Sequence, residues 1–198
     1  MTFRTKGLAI AAVLALALPV KAQALNIVAI GASNTSGWGV GAQNAYPAVL
    51  EALLRKKGID AHVTNAGRLG DVTAGMRGRL DEAVPKGTDI VILQPGANDL
   101  RFFGTKEARA ANIAAMVAHL HARGIRVIVY DPPTIPPDFY QWDHIHFNAA
   151  AHAKIAATLA AQIAAPPKAQ AATPANAAPA NAAPPNAAPS SAAPPKSQ

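Results

Sequence analysis

The chain has 198 residues, with 18 Lys plus Arg, 11 Asp plus Glu and no cysteine. That length suits one ordinary domain with tails. The missing cysteine excludes disulfides, Cys-ligated zinc, iron–sulfur clusters, a thiol nucleophile and a lipid-modified N-terminal Cys. The net charge of +7 sits mostly at the ends. Residues 1–24 contribute +3 through Arg4, Lys6 and Lys21, and residues 166–198 contribute +2 through Lys168 and Lys196. The middle, 25–165, has 13 basic and 11 acidic groups, hence +2. A nucleic-acid domain concentrates Lys and Arg on its folded part. Here Arg55-Lys56-Lys57 reads as the basic last turn of a helix stopped by Gly58, so no nucleic-acid partner is expected.

The N-terminus has the layout of a signal peptide. Arg4 and Lys6 form a positive region, Gly7 to Val20 is an apolar run, and Ala22-Gln23-Ala24 supplies small residues for cleavage. The run is shorter than the roughly 20 residues a membrane span needs. Cleavage is expected after Ala24, giving an exported protein, periplasmic or secreted, without a stable membrane span.

Leu25–Ile30 then reads as a buried strand and Tyr46–Lys57 as a helix, with Pro47 in its first turn and Val49, Leu50, Leu53 and Leu54 on one face. Ala61–Asn65 is a second strand. Asp71–Val84 has a helical pattern weakened by Gly75 and Gly78. Asp89–Gln94 is a third strand. Lys106–Arg123 is an alanine-rich helix with Ile113, Met116, Val117 and Leu120 inward. Ile125–Tyr130 is a fourth strand. Asn148 caps a last helix carrying Ile155, Leu159 and Ile163. From Pro166 onward Asn-Ala-Ala-Pro recurs at five-residue steps. Proline at that density prevents helix, and alanine buries too little surface to offset chain entropy. Residues 166–198 are expected to be a disordered tail, solubilising or placing the protein near a cell wall.

Strands alternating with helices predict a parallel sheet with helices on both faces, a three-layer α/β/α, flavodoxin-like domain over 25–165. In such sheets ligands lie beyond the C-terminal strand ends. Beyond the first comes Gly31-Ala32-Ser33, and beyond the second Gly67-Arg68-Leu69-Gly70-Asp71. Beyond the third comes Gly96-Ala97-Asn98-Asp99, and Asp143-His144-Ile145-His146 precedes the last helix. Acyl transfer needs these types. A serine hydroxyl is a poor nucleophile until an imidazole takes its proton, and the imidazole needs a carboxylate to set its tautomer. Asp143 and His146 are close enough in sequence for a tight turn to join them. The N–H groups of Ser33 and Gly70 and the Asn98 amide can serve an oxyanion. Gly70 would allow close approach of backbone to substrate.

Other readings compete. Ser33 can be a helix cap, and Asn98 can hold a turn. Gly67 competes with Gly70. His144, His146 and His152 with Asp143 can form a metal site. Gly37-Trp38-Gly39-Val40-Gly41 can cradle a phosphate, which makes a flavodoxin-like ligand-binding module the non-enzyme alternative. His119, His121 and His152 read as ordinary surface residues on helices, and His144 as solvent-facing.

In these four blocks the chain resembles the SGNH hydrolases, the GDSL esterase and lipase superfamily. Ser33, Gly70, Asn98 and His146 match the blocks in order, and Asp143 completes the triad. Gly96-Ala97-Asn98-Asp99 matches Gly-x-Asn-Asp, and Asp143 to His146 matches Asp-x-x-His. The resemblance prefers Gly70 to Gly67, because Gly-Asp before a helix is the usual form. It implies hydrolysis of carboxylic esters or thioesters through an acyl-enzyme, with no metal or cofactor. The alternatives within it are a carbohydrate O-acetylesterase and an acyltransferase. Two features depart from the family. Its Gly-Asp-Ser is Gly31-Ala32-Ser33 here, and Asp131–Trp142 is too short for the usual further helix and fifth strand. A reduced sheet of about four strands, ordered 2-1-3-4, follows. Trp38, Phe102, Phe103, Tyr140 and Trp142 are the candidate lining of the substrate pocket.

Overall fold

The computed structural model describes residues 23–102, 104–132 and 135–165. Residues 1–22 of the expected leader, Phe103 and the whole 166–198 tail lie outside the described residues. In chain order the elements are β1 (Leu25–Gly31), α1 (Ser33–Ser36), α2 (Tyr46–Lys56), β2 (Ala61–Gly67), α3 (Thr73–Gly78), α4 (Leu80–Ala83), β3 (Ile90–Gln94), α5 (Asn98–Arg101), α6 (Lys106–Ala122), β4 (Arg126–Val129) and α7 (Ala149–Ala164). The four strands form one parallel sheet in the order β2-β1-β3-β4. Among the described residues only a short 3-10 turn, Pro137–Phe139, interrupts the stretch after β4, so the sheet is the reduced one its spacing implies.

Successive residues of a strand point to opposite faces, and the two cores separate on that rule. Ile27 and Ala29 of β1 and Ile90 and Ile92 of β3 face α2 and α7, packing with Leu50, Leu54, Ile155 and Leu159. Val28, Ile30, Val91 and Leu93 face the other layer, with Met76, Leu80, Met116 and Leu120. The central strands are therefore buried on both faces and read as continuous apolar runs. Edge strand β2 alternates buried and exposed over its first residues. The long helices start where their caps allow. Thr105 Oγ1 accepts the N–H of Ala108, and Asn148 Oδ1 accepts that of Ala151.

Two expectations change. The single helix over Asp71–Val84 is two short ones, α3 and α4, separated at Arg79, whose φ and ψ are −107° and 12°. The Arg79 side chain turns inward to a buried partner instead of continuing on the solvent face. His152 is not a surface residue. It is 0% exposed, on the inward stripe of α7 with Ile155 and Leu159. Its Nδ1 accepts the N–H of Tyr46 at 3.2 Å, at the start of α2. The neutral ring then carries its proton on Nε2, which is buried without a partner among the described residues.

Burial pushes the His152 pKa down from 6.5 to about 4, because the interior disfavours the cation. In the unfolded chain the ring takes up a proton below its ordinary value, while the folded ring resists it until about 4. Stability contributed by the neutral ring is therefore present above pH 6.5 and lost as pH falls towards 4. The His152→Gln protein keeps an acceptor and does not titrate. The difference in urea unfolding free energy between wild type and this variant should move against the wild type between pH 6.5 and 4, by at most about 1.4 kcal/mol per pH unit. A difference independent of pH over that window would show that His152 is not held neutral.

Candidate active site

Ser33 is the first residue of α1, immediately beyond β1, and is 7% exposed. The chain turns back sharply there. The Ala32 carbonyl accepts the N–H groups of Thr35 and Ser36. Ala32 stands where the resembling family has aspartate. It is buried, and its methyl joins the core with Val28 and Ile30, so an apolar contact fills that position.

The Asp-x-x-His segment builds its own turn. Asp143 Oδ1 accepts the N–H groups of Ile145 and His146, both at 2.9 Å, and His144 takes a left-handed φ of 56°. That turn folds the His146 ring back onto its own aspartate, with Nδ1 to Asp143 Oδ2 at 2.5 Å. The backbone N–H of His146 lowers the Asp143 pKa to about 2, against an opposing effect of desolvation and with help from the His146 ring and the Ile145 N–H. A carboxylate charged down to that pH accepts the proton of Nδ1, leaving Nε2 as an acceptor. Nε2 lies 3.0 Å from Ser33 Oγ. Ser33, His146 and Asp143 thus form one hydrogen-bonded line across residues 113 apart in sequence. His144 is exposed beside it. Among the described residues no group of three or more His, Asp or Glu is placed to hold a metal ion, and the His152 ring is buried against Tyr46 and Phe147.

The line is steadied by Asn34 and Gln141, which sequence patterns did not single out, and by Trp38, which they placed in the pocket lining. Asn34 follows Ser33. Its Oδ1 accepts the N–H of Phe147 at 2.8 Å, and its Nδ2 donates to the Ile145 carbonyl at 3.4 Å. Gln141 donates from Nε2 to the carbonyls of Trp38 and Phe147, each at 2.8 Å. The Trp38 ring packs on the His146 ring, with centroids 4.1 Å apart. An asparagine beside a candidate serine was the one visible signal; the partners lie too far along the chain to be read.

Asn98 starts α5 and donates from Nδ2 to the Asp71 carbonyl at 2.8 Å. One of its two amide protons is used in this way. The Asp99 carboxylate is buried and takes the N–H and hydroxyl of Thr73, holding α3 against the loop after β3. Among the described residues no acceptor takes the N–H of Ser33 or of Gly70. Gly70 occupies an exposed turn with φ +74°, and among the described residues nothing lies within 4 Å of where its Cβ would be. Backbone conformation, not crowding by the protein, requires glycine there. Gly67 is the crowded one, since its Cβ would overlap the backbone of Thr35 and Ser36.

A cleft of about 630 Å³ opens beside Ser33. Its lining includes Asn34, Gln94, Asn98, Leu100, Arg101, Arg109, Tyr130, Ile135, Tyr140, Ile145 and Phe147. Of the candidate pocket aromatics, Tyr140 lines it. Trp38 packs on His146 instead. Phe102 and Trp142 point to solvent, Trp142 being 83% exposed, and neither they nor Gly70 line the cleft. Local sequence placed Phe102 and Trp142 near the site, but the segments that carry them leave both rings exposed. Asn34→Ala removes its own two hydrogen bonds from the serine turn to the histidine turn. It should cost about 1–2 kcal/mol of unfolding free energy and lower kcat on a soluble ester about tenfold or more, because a small misplacement of reacting groups is expensive. Stopped assays and urea titration check both numbers; an unchanged kcat would show that the histidine turn holds itself.

Comparison with known proteins places the chain in a family. Residues 29–191 match the family model of the GDSL-like lipase/acylhydrolase family. An arylesterase of Vibrio mimicus is 28% identical over 115 residues, 57% of this chain; the match spans 56% of that protein's length. Esterase TesA of Pseudomonas aeruginosa is 27% identical over 142 residues, 69% of this chain and 70% of that one. The crystal structure of TesA superposes with a TM-score of 0.64 at 20% identity, covering 70% of this chain and 98% of the other, which shows the shared fold. The chain therefore belongs to the GDSL-like lipase/acylhydrolase family.

Proposed function

We propose that residues 25–165 form a serine hydrolase that cleaves small carboxylic esters or thioesters through an acyl-enzyme, and that a leader ending at Ala24 exports it. The observation that carries this reading is the line from Ser33 Oγ to His146 Nε2, 3.0 Å, and on from His146 Nδ1 to Asp143 Oδ2, 2.5 Å. Ser33 Oγ attacks the acyl carbon as His146 Nε2 takes its proton. Charged Asp143 stabilises the imidazolium. The oxyanion takes the Ser33 N–H and the second Asn98 amide proton, with the Gly70 N–H supplied by the neighbouring turn. Collapse expels the alcohol or thiol with the proton from His146. Water, deprotonated by the same nitrogen, then releases the acid. Tyr130, Tyr140, Ile145 and Phe147 give the cleft an apolar wall that suits an acyl chain or an aryl leaving group, in keeping with the arylesterase relative.

Ser33→Ala should lose about 10³-fold or more in kcat on soluble aryl esters, the remainder coming from binding and the oxyanion donors. Mass spectrometry should find a phosphonate adduct on Ser33 of the wild type. Retention of more than about a tenth of kcat, with no adduct, would sink the assignment.

Asn98→Ala should lower kcat by about 10²–10³ with little change in KM, because the oxyanion exists only after attack. Its bond to the Asp71 carbonyl adds a structural role, so the variant should also unfold about 1 kcal/mol more easily. A folded variant with wild-type kcat would remove Asn98 from the mechanism.

A further inference from the structure

We propose that Arg79 is a positioning residue: its guanidinium clamps the turn carrying Gly70, one of the oxyanion donors, to the strand end carrying Ser33. The inference rests on the ester-hydrolase reading above. Arg79 lies at the break between α3 and α4 and is 7% exposed. Its Nε donates to Asp71 Oδ2 at 2.8 Å, and its Nη2 donates to the Gly31 carbonyl at 3.1 Å. Gly31 ends β1, two residues before Ser33. The same carbonyl accepts the N–H of Arg68, at the start of the second loop. Asp71 follows Gly70, and its own carbonyl receives the Asn98 amide at 2.8 Å. One planar fork therefore touches the first loop and the second, and through Asp71 it reaches the third.

The chemistry of the pair suits a geometric task. Two charges withdrawn from water contribute little net stability, but removal of one leaves the other uncompensated. Arginine, unlike lysine, presents donors in a fixed plane and can hold two acceptors at a set angle. Space has been left for the clamp. Asp71 Oδ1 accepts the N–H of Val72 and lies where a Cβ on Gly75 would overlap it. An alanine at 75 would raise helix propensity in α3, yet it would push the Asp71 carboxylate off Arg79. Helix stability and clamp geometry thus make opposite demands at that position.

The test uses the full chain and two variants, Arg79→Lys and Gly75→Ala, with kcat on a soluble aryl ester expressed per reactive serine as counted by end-point phosphonate titration. Arg79→Lys should lower kcat per titrated serine by about 10- to 100-fold with KM changed less than about threefold. Gly75→Ala should lower it in the same direction, by about tenfold, although its propensity effect alone predicts a more stable helix. A merely structural role would reduce the melting temperature or the number of titratable serines and leave kcat per serine at the wild-type value. That result in either variant overturns the proposal. Should Arg79→Lys fail to fold, Gly75→Ala decides alone. A wild-type protein with neither turnover nor a Ser33 adduct would instead remove the ester-hydrolase reading, and the clamp with it.

Discussion

No side chain fits at Gly31. A Cβ there would overlap Thr35 Oγ1 and come within 2.8 Å of the Gln94 carbonyl. That lack of a side chain lets the chain leave β1 and fold α1 directly back over the sheet edge. Thr35 is then buried and donates to Gln94 Oε1 at 2.6 Å, on the neighbouring strand that pairs with Gly31. Ser33 rides on this turn, so its exposure and direction follow from how closely α1 approaches the end of β3. The carbonyl of Gly31 is equally used, since it gathers Arg68 from the second loop and Arg79 from the break between α3 and α4.

Above the two apolar cores, then, lies a layer of buried polar groups at the C-terminal edge of the sheet. Thr35 with Gln94 and Thr73 with Asp99 each join segments beyond different strands, and Arg79, paired with Asp71, reaches the Gly31 carbonyl at the end of β1. Buried polar groups are expensive unless paired, and each of these is paired. Their net worth in stability is small, but they permit few alternative arrangements. A site that must hold donors within a fraction of an ångström benefits from that restriction. Among the described residues the buried Nε2 of His152 is the exception, on the inward stripe of α7 with its ring against Tyr46 and Phe147.

Asp143 divides its work between its two oxygens. Oδ1 closes a local turn by taking two backbone N–H groups, and Oδ2 faces the imidazole. The bonds that shape the turn are the ones that keep the carboxylate charged. Folding of a few residues and control of the histidine tautomer are thus one event. The longer-range support comes from Asn34 and Gln141, which bring this turn to Ser33. Trp38, free to pack on His146 because its loop turns that way, covers one face of the ring.

Sequence alone determined what depends on near neighbours. Apolar runs and 3.6-residue stripes placed four strands and the long helices, Pro47 and Asn148 marked helix starts, and strand ends placed Ser33, Asn98 and the Asp143–His146 pair on one edge. Each rests on backbone periodicity or on a turn of a few residues, so the information lies within a short window. Tertiary structure alone decided the rest. His152 shares the inward stripe of α7, yet its polar ring reads as surface until the Tyr46 N–H is seen to meet it across 106 residues. Which aromatics line the cleft, why Gly70 and Gly67 are glycine for different reasons, and where Arg79 points all depend on loops from different strands meeting. Such contacts are set by how the sheet and helices pack, and no local pattern of residue types encodes which partner a polar side chain will find.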